Sequence, residues 1–220
     1  MAINPYGKRS GSDLSRSQDL ISTYNKKSGE IKNITPDDLF ATLGPSPYGG
    51  LYTQTAQSTP VVNTTVETSI INGGIGTLTV PENGFQVGDT FKAYLSGPLS
   101  ALNNNTIELH THAVGPAYDA ILFDSNPFAL SGAINKDFEL QIWFTIRSIG
   151  PAGIASIYSS GKFLYNKDAN NNPERLSFSS LNNTTFDTTK QNTLYISVKW
   201  GTASPSNSIA TEQFVLSKLF

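Results

Sequence analysis

Cysteine is absent from the 220 residues, which excludes disulfide bonds, thiolate metal sites and a cysteine nucleophile. Charged residues make up only 15% of the chain, whereas an average soluble domain has roughly 25%. The formal net charge of −2 predicts no basic surface for nucleic acid or for an anionic membrane. No apolar run approaches the roughly 18 residues of a membrane span, and the first 20 residues lack the apolar core of a signal peptide. We therefore expect a soluble protein that is made in the cytoplasm without Sec-type export and has neither a nucleic-acid nor a membrane partner.

Asn, Ser, Thr and Gly take the place of the missing charges, and these residues favour turns and strands. Residues 138–146 show the clearest two-residue period, with the apolar positions Phe138, Leu140, Ile142, Phe144 and Ile146. Residues 194–200 repeat this alternation. Further strands are predicted at 64–71, 76–80, 87–96, 105–113, 119–124, 153–165, 175–179 and 208–218. Short strands at this spacing predict an all-β sandwich or barrel, and their number favours a jelly roll.

The sequence changes character near Pro47. Residues 1–47 are more densely charged than the rest and have few large apolar side chains. They contain one complete helix signal, formed by the cap Thr35, the first-turn residues Pro36, Asp37 and Asp38, and the stop Gly44-Pro45. A second short helix is predicted around residues 17–24. Helices of about two turns are marginal alone in water, so this segment is interpreted as an arm that lies on another surface.

The arm (1–47) and a head (48–220) are expected to be joined by the Pro/Gly-rich residues 44–50. The apolar side of the predicted helix would face whatever the arm binds. The candidate anchoring residues are Leu39, Phe40 and Leu43.

His110 and His112 are the only histidines, and they alternate along one strand with Glu108. Two imidazoles and a carboxylate are ligands that zinc accepts. Since such side chains are commonly exposed, the preferred interpretation is a solvated strand face without a metal, and a site on a threefold axis is the one alternative. No other cofactor is expected.

No arrangement of a nucleophile with a base is recognisable, so the sequence does not predict an enzyme. Aromatic rings suit sugar faces as well as protein interfaces, so a carbohydrate-binding surface and packing within or between subunits both remain open. The tyrosines concerned are Tyr48, Tyr52, Tyr94, Tyr118, Tyr158, Tyr165 and Tyr195.

Residues 51–113 contain Thr-Val-Glu-Thr, then Gly-x-Leu-Thr-Val-Pro, then Phe-x-Val-Gly-Asp-Thr-Phe. These phrases resemble a jelly-roll domain of virion surface proteins from bacteriophages and large DNA viruses. Segments 144–157, 163–168 and 182–209 are similar too, so the likeness covers about residues 51–220 and leaves the arm outside it.

The resemblance implies a structural protein of a virus particle, a homotrimer in the manner of fibre knobs and C1q/TNF-like domains. Its partners would be itself, capsid or tail proteins of the same virion, and a host-surface glycan or receptor. Two alternatives remain beside a projecting fibre or decoration protein: a cement protein that bridges neighbouring capsomers, and a carbohydrate-binding module. No catalytic residue comes with the resemblance.

Overall fold

Side chains that alternate between apolar and polar place most of the chain in β-strands. The computed structural model of the protein describes residues 21–24, 31–34, 50–182 and 186–219. These ranges contain strands and one 3₁₀-helix, Ala169–Asn171, and no α-helix. The chain divides into two units, Met1–Tyr48 and Gly49–Phe220.

In the first unit, β1 (Ile21–Tyr24) pairs antiparallel with β2 (Ile31–Ile34). β1 occupies the second half of segment 17–24, so the second helix predicted there is wrong for these residues. Their β-branched and aromatic side chains favour a strand, and the β2 ladder satisfies the backbone. The helix predicted over residues 36–43 lies outside the described residues.

The second unit contains the head, and its strands are longer. They are β3 (Gly50–Gln54), β4 (Val61–Val62), β5 (Thr68–Ser69), β6 (Gly74–Gly76), β7 (Thr79–Val80), β8 (Thr90–Ala101), β9 (Asn105–Gly115), β10 (Tyr118–Asp124), β11 (Phe128–Leu130), β12 (Ala133–Ile149), β13 (Ala155–Asn166), β14 (Pro173–Asn182), β15 (Asn192–Trp200), β16 (Ser208–Ile209) and β17 (Gln213–Lys218).

These strands form two antiparallel sheets. The large sheet has the order β14-β13-β12-β8-β17-β3-β6, with β16 on β8 and β4 on β16. The small sheet has the order β10-β9-β15-β5, with β7 on β15 and β11 on β9. The chain crosses between the sheets, so that β17 returns beside β3 while β15 lies between β5 and β9. This interleaving is the jelly-roll arrangement of two Greek keys, and it confirms the predicted all-β sandwich.

The core lies between the sheets. β12 contributes five side chains that are at most 3% exposed: Phe138, Leu140, Ile142, Phe144 and Ile146. β15 contributes Leu194, Ile196, Val198 and Trp200 to the same cluster. Both alternations predicted from the sequence are therefore confirmed.

Both ends of the turn before β8 pack into this core. The rings of Phe85 and Phe91 are both buried and in contact with each other. Between them Gly88 adopts a φ of +96°, which favours glycine. The Asp89 carboxylate accepts a backbone hydrogen bond at 2.9 Å and pairs with Lys218 at 2.8 Å, joining the turn to β17.

Four strands bring polar side chains together on the outer face of the small sheet. Ser69 of β5 lies opposite Ser197 of β15, and Ser197 lies opposite His110 of β9. On the far side of β9, His110 lies opposite Asp124 of β10. This register aligns hydroxyl, imidazole and carboxylate groups in one row.

Candidate metal centre

His110 and His112 point to the outer face of β9, yet they are only 6% and 4% exposed. Ile107 and Leu109, on the opposite face, are fully buried in the core as the alternation predicts. The prediction of a solvated face around the histidines is wrong. Side chains from neighbouring strands and from Glu67 cover this part of the sheet.

Glu67 is the group that joins the two histidines. It directly precedes β5, and its Oε1 atom lies 2.8 Å from His110 Nδ1 and 2.7 Å from His112 Nε2. The Ser197 hydroxyl donates a hydrogen bond to the same oxygen at 2.5 Å. One carboxylate oxygen thus faces two imidazole nitrogens and a hydroxyl.

These contacts favour the ionised form of Glu67. Partial burial raises the pKa of its carboxyl, but the hydrogen bonds from Ser197, His110 and His112 more than offset this effect. They bring the pKa to about 2, from an ordinary value of 4.5. Glu67 is therefore a carboxylate at neutral pH and can act as a metal ligand.

A second carboxylate lies behind each histidine. Asp119 Oδ1 is 2.7 Å from His112 Nδ1, and Asp124 Oδ1 is 3.3 Å from His110 Nε2. Each ring nitrogen that points away from Glu67 is thus next to an aspartate. Carboxylates in this position set the orientation of histidines that bind metals.

Tyr195 holds one side of this arrangement in place. Its ring stacks on His112 with centroids 4.3 Å apart and an angle of 5° between the planes. Its hydroxyl donates to Asp119 Oδ2 at 3.0 Å. Burial, followed by that hydrogen bond, raises the pKa of the Tyr195 hydroxyl, so it remains a donor. The imidazole of His112 is therefore fixed both by stacking and through Asp119.

Glu108, the carboxylate that the sequence suggests beside the histidines, is not part of this group. It pairs instead with Lys199 across the β9–β15 ladder, at 3.1 Å. The ligand atoms of Glu67, His110 and His112 all lie within 4.8 Å of one another. Within the described ranges, this is the one set of three or more such side chains that could share an ion. Its ligands come from one chain, so no threefold axis is needed.

The tyrosines suggested as a sugar-binding surface do not share one face. Tyr94 and Tyr158 lie on the outer face of the large sheet, in positions diagonal to Trp143. The remaining suggested tyrosines that the structure describes are in the core or near the small sheet: Tyr52, Tyr118, Tyr165 and Tyr195. Tyr48 and the anchoring residues Leu39, Phe40 and Leu43 lie outside the described residues.

A comparison of the sequence with models of known protein families gives no match. A comparison with curated proteins gives none either. In the part of the chain that the structure describes, no helix has the length and apolar character needed to cross a membrane. Function is therefore inferred from the geometry of the head and from the residues themselves.

Proposed function

We propose that the protein is a structural component of a bacteriophage or large DNA virus. The jelly-roll head projects from the capsid or tail, and residues 1–47 anchor it to the particle. Its role is decoration, attachment to a host-surface glycan or receptor, or both, and it involves no catalysis. The protein is made in the host cytoplasm and resides in the virion.

The observation that supports this proposal is the position in the sandwich of the three short sequences that resemble virion jelly rolls. Residues 65–68 lead into β5, residues 76–81 contain β7, and residues 85–91 form the turn into β8. Strands of both sheets are thus preceded or formed by these phrases. This placement within strands, or directly before them, is what supports the proposed likeness to virion jelly rolls.

A homotrimer is part of the proposal. Trp143 and Val215 lie on the outer face of the large sheet, and Tyr195 lies on that of the small sheet; all three are half-buried. A cyclic trimer joins two different patches of neighbouring subunits. Apolar side chains on two different faces suit such an interface. A twofold contact would need only one patch that pairs with itself.

The proposal is tested on particles purified by density gradient from cells that make the protein. We expect the protein to sediment with the particles, and antibodies against the head to label their outer surface. Absence from the particles refutes a virion role. A cement role predicts in addition that particles lacking the protein release their genome at lower temperature, whereas a projecting fibre leaves that temperature unchanged and lowers attachment.

Carbohydrate binding is a second candidate function, favoured by the surface around Trp143. Two ammonium groups, those of Lys92 and Lys162, lie 5.6 and 5.5 Å from the centre of the Trp143 ring. Tyr94 and Tyr158 flank it on the same sheet face. Aromatic rings beside cations can hold a sugar ring together with an acidic substituent.

A glycan array with the full chain tests this candidate. Binding to acidic glycans should be lost in Trp143→Ala and kept in Ile75→Ala, which removes an exposed apolar side chain from β6 at the other end of the same sheet. If neither wild type nor control binds any glycan, the carbohydrate-binding candidate is refuted.

A further inference from the structure

The hydrogen-bonding capacity of His112 is the starting point. Its Nδ1 faces Asp119 and its Nε2 faces Glu67, each at 2.7 Å. Ionised carboxylates only accept hydrogen bonds, and a neutral imidazole has a single N–H. The Ser197 hydroxyl also lies 3.0 Å from Nε2, but its single hydrogen is donated to Glu67. One ring nitrogen of a neutral His112 would then direct its lone pair at a carboxylate oxygen, a repulsive contact that a proton or a bound metal ion would remove.

His110 repeats the arrangement, with Glu67 at 2.8 Å from Nδ1 and Asp124 at 3.3 Å from Nε2. Three carboxylates thus surround two imidazoles. Among the residues that the structure describes, the ion pairs of these carboxylates are with histidine and not with lysine or arginine. The group therefore needs positive charge from protons or from a metal ion.

We propose that Glu67, His110 and His112 bind one zinc ion. Zinc takes imidazole nitrogen and carboxylate oxygen together, in a tetrahedral site whose fourth position is open to water when the protein supplies three ligands. The ligand nitrogens are His110 Nδ1 and His112 Nε2, because both face Glu67 Oε1. The proposal is independent of any role in a virus particle.

Asp119 and Asp124 bind the ring nitrogens of the two histidines that point away from the ion. With zinc on the inner nitrogens, each outer nitrogen carries the single N–H of its ring and donates it to Asp119 or Asp124. Every imidazole nitrogen then has one suitable partner. Tyr195 and its hydrogen bond to Asp119 keep the His112 ring aligned for the ion.

The carboxylate oxygen of Glu67 must move away from the two histidine nitrogens to admit the ion. Tetrahedral ligands at zinc distances are about 3.3 Å from one another, while Glu67 Oε1 lies 2.7 and 2.8 Å from the two nitrogens. The histidines are held by stacking and by the sheet, but the Glu67 side chain is 33% exposed and precedes a two-residue strand. A shift of Glu67 of about half an ångström brings its two contacts to this spacing. The two ligand nitrogens, which lie within 4.8 Å of each other, must also settle at about 3.3 Å.

Titration calorimetry with ZnCl₂ on the full chain, first treated with a chelator, tests the proposal. We expect saturable binding of one Zn²⁺ per chain. Co²⁺ in its place should give the intense visible bands of a tetrahedral site. Zinc should also raise the midpoint of thermal unfolding, since a ligand that binds only the folded state stabilises it.

Two variants and a matched control locate the ion. Glu67→Gln should abolish the binding of one Zn²⁺ per chain, and Asp119→Asn should weaken it about 10- to 100-fold, as loss of an outer carboxylate does elsewhere. Glu108→Gln, which changes a glutamate of the same strand face outside the group, should bind like wild type. Circular dichroism and urea unfolding without metal establish that all three are folded.

Lack of saturable binding by the wild type would overturn the proposal, and the cluster would then be a hydrogen-bonded ion network. Binding by Glu67→Gln equal to that of wild type would do the same. An equal loss in Glu108→Gln would place the ion elsewhere on the sheet and so would also refute the site.

Discussion

Replacing Phe144 with alanine removes one of two stacked rings that join β12 to β8 in the core. Phe144 is 3% exposed and lies directly opposite Phe91 in the ladder. The two rings are 4.8 Å apart between centroids, with an angle of 14° between their planes. Alanine would therefore leave a cavity between the sheets and leave Phe91 without its stacking partner.

The expected cost is about 3–5 kcal/mol of unfolding free energy, the range for truncation of a buried phenylalanine. Loss of the aromatic pair, about 0.5–1.5 kcal/mol beyond the area buried, favours the upper half of that range. For a domain of this size, 1 kcal/mol corresponds to about 2–4 °C in Tm. Phe144→Ala should thus lower Tm by roughly 10 °C or more.

Urea unfolding followed by tryptophan fluorescence measures this difference. Glu139→Ala is the matched control, because Glu139 is on the same strand but on its exposed face. It should cost less than about 0.5 kcal/mol. Equal losses in the two variants would refute the assignment of core and outer faces, and a loss below about 1 kcal/mol for Phe144→Ala would show that the core closes around the missing ring.

Three further predictions concern stability, attachment and assembly. Burial, as the largest effect, raises the pKa of Tyr165 above its ordinary 10.0; its phenol therefore adds stability that is complete below pH 10 and is lost as the pH rises further. The unfolding free energy of wild type should accordingly fall more steeply above pH 10 than that of Tyr165→Phe, and parallel curves would contradict this. Deletion of residues 1–47 should leave the head folded and oligomeric but abolish its incorporation into particles, and Phe40→Asp should do nearly the same by forcing a charge into an apolar contact. Truncated protein at normal occupancy in particles would refute the anchor. Light scattering on residues 48–220 should give the mass of a trimer, and a monomer at micromolar concentration would count against it.

The sequence predicts which residues are strands better than where each strand is interrupted. The predicted strand 208–218 is two strands, β16 and β17, because Pro98 of β8 has no N–H to continue the ladder. Next to it, a Cβ on Gly97 would lie 2.2 Å from the Ala210 carbonyl oxygen. The two backbone segments are therefore closer there than any residue except glycine allows. Of the predicted strand 64–71, only Thr68–Ser69 is a strand in the structure.

The candidate site is predicted in part. The His-x-His alternation correctly places both histidines on one face of β9, because side-chain direction in a strand depends only on odd or even position. Asp119 is seven residues from His112, and the hairpin of β9 and β10 brings it there. A search for carboxylates across that turn could have found it.

Glu67 could not be found in this way. It is 43 and 45 residues from its two histidines, and it reaches them only because β5 pairs with β15, which pairs with β9. The sequence by itself determines a two-residue period, and with it the strands, the apolar faces and the sandwich class, because these are local properties of neighbouring residues. Only the tertiary structure decides which strands are neighbours, and so whether His110 and His112 are solvated side chains or two ligands of a buried site. That choice depends on pairings between distant segments, and no local pattern encodes them.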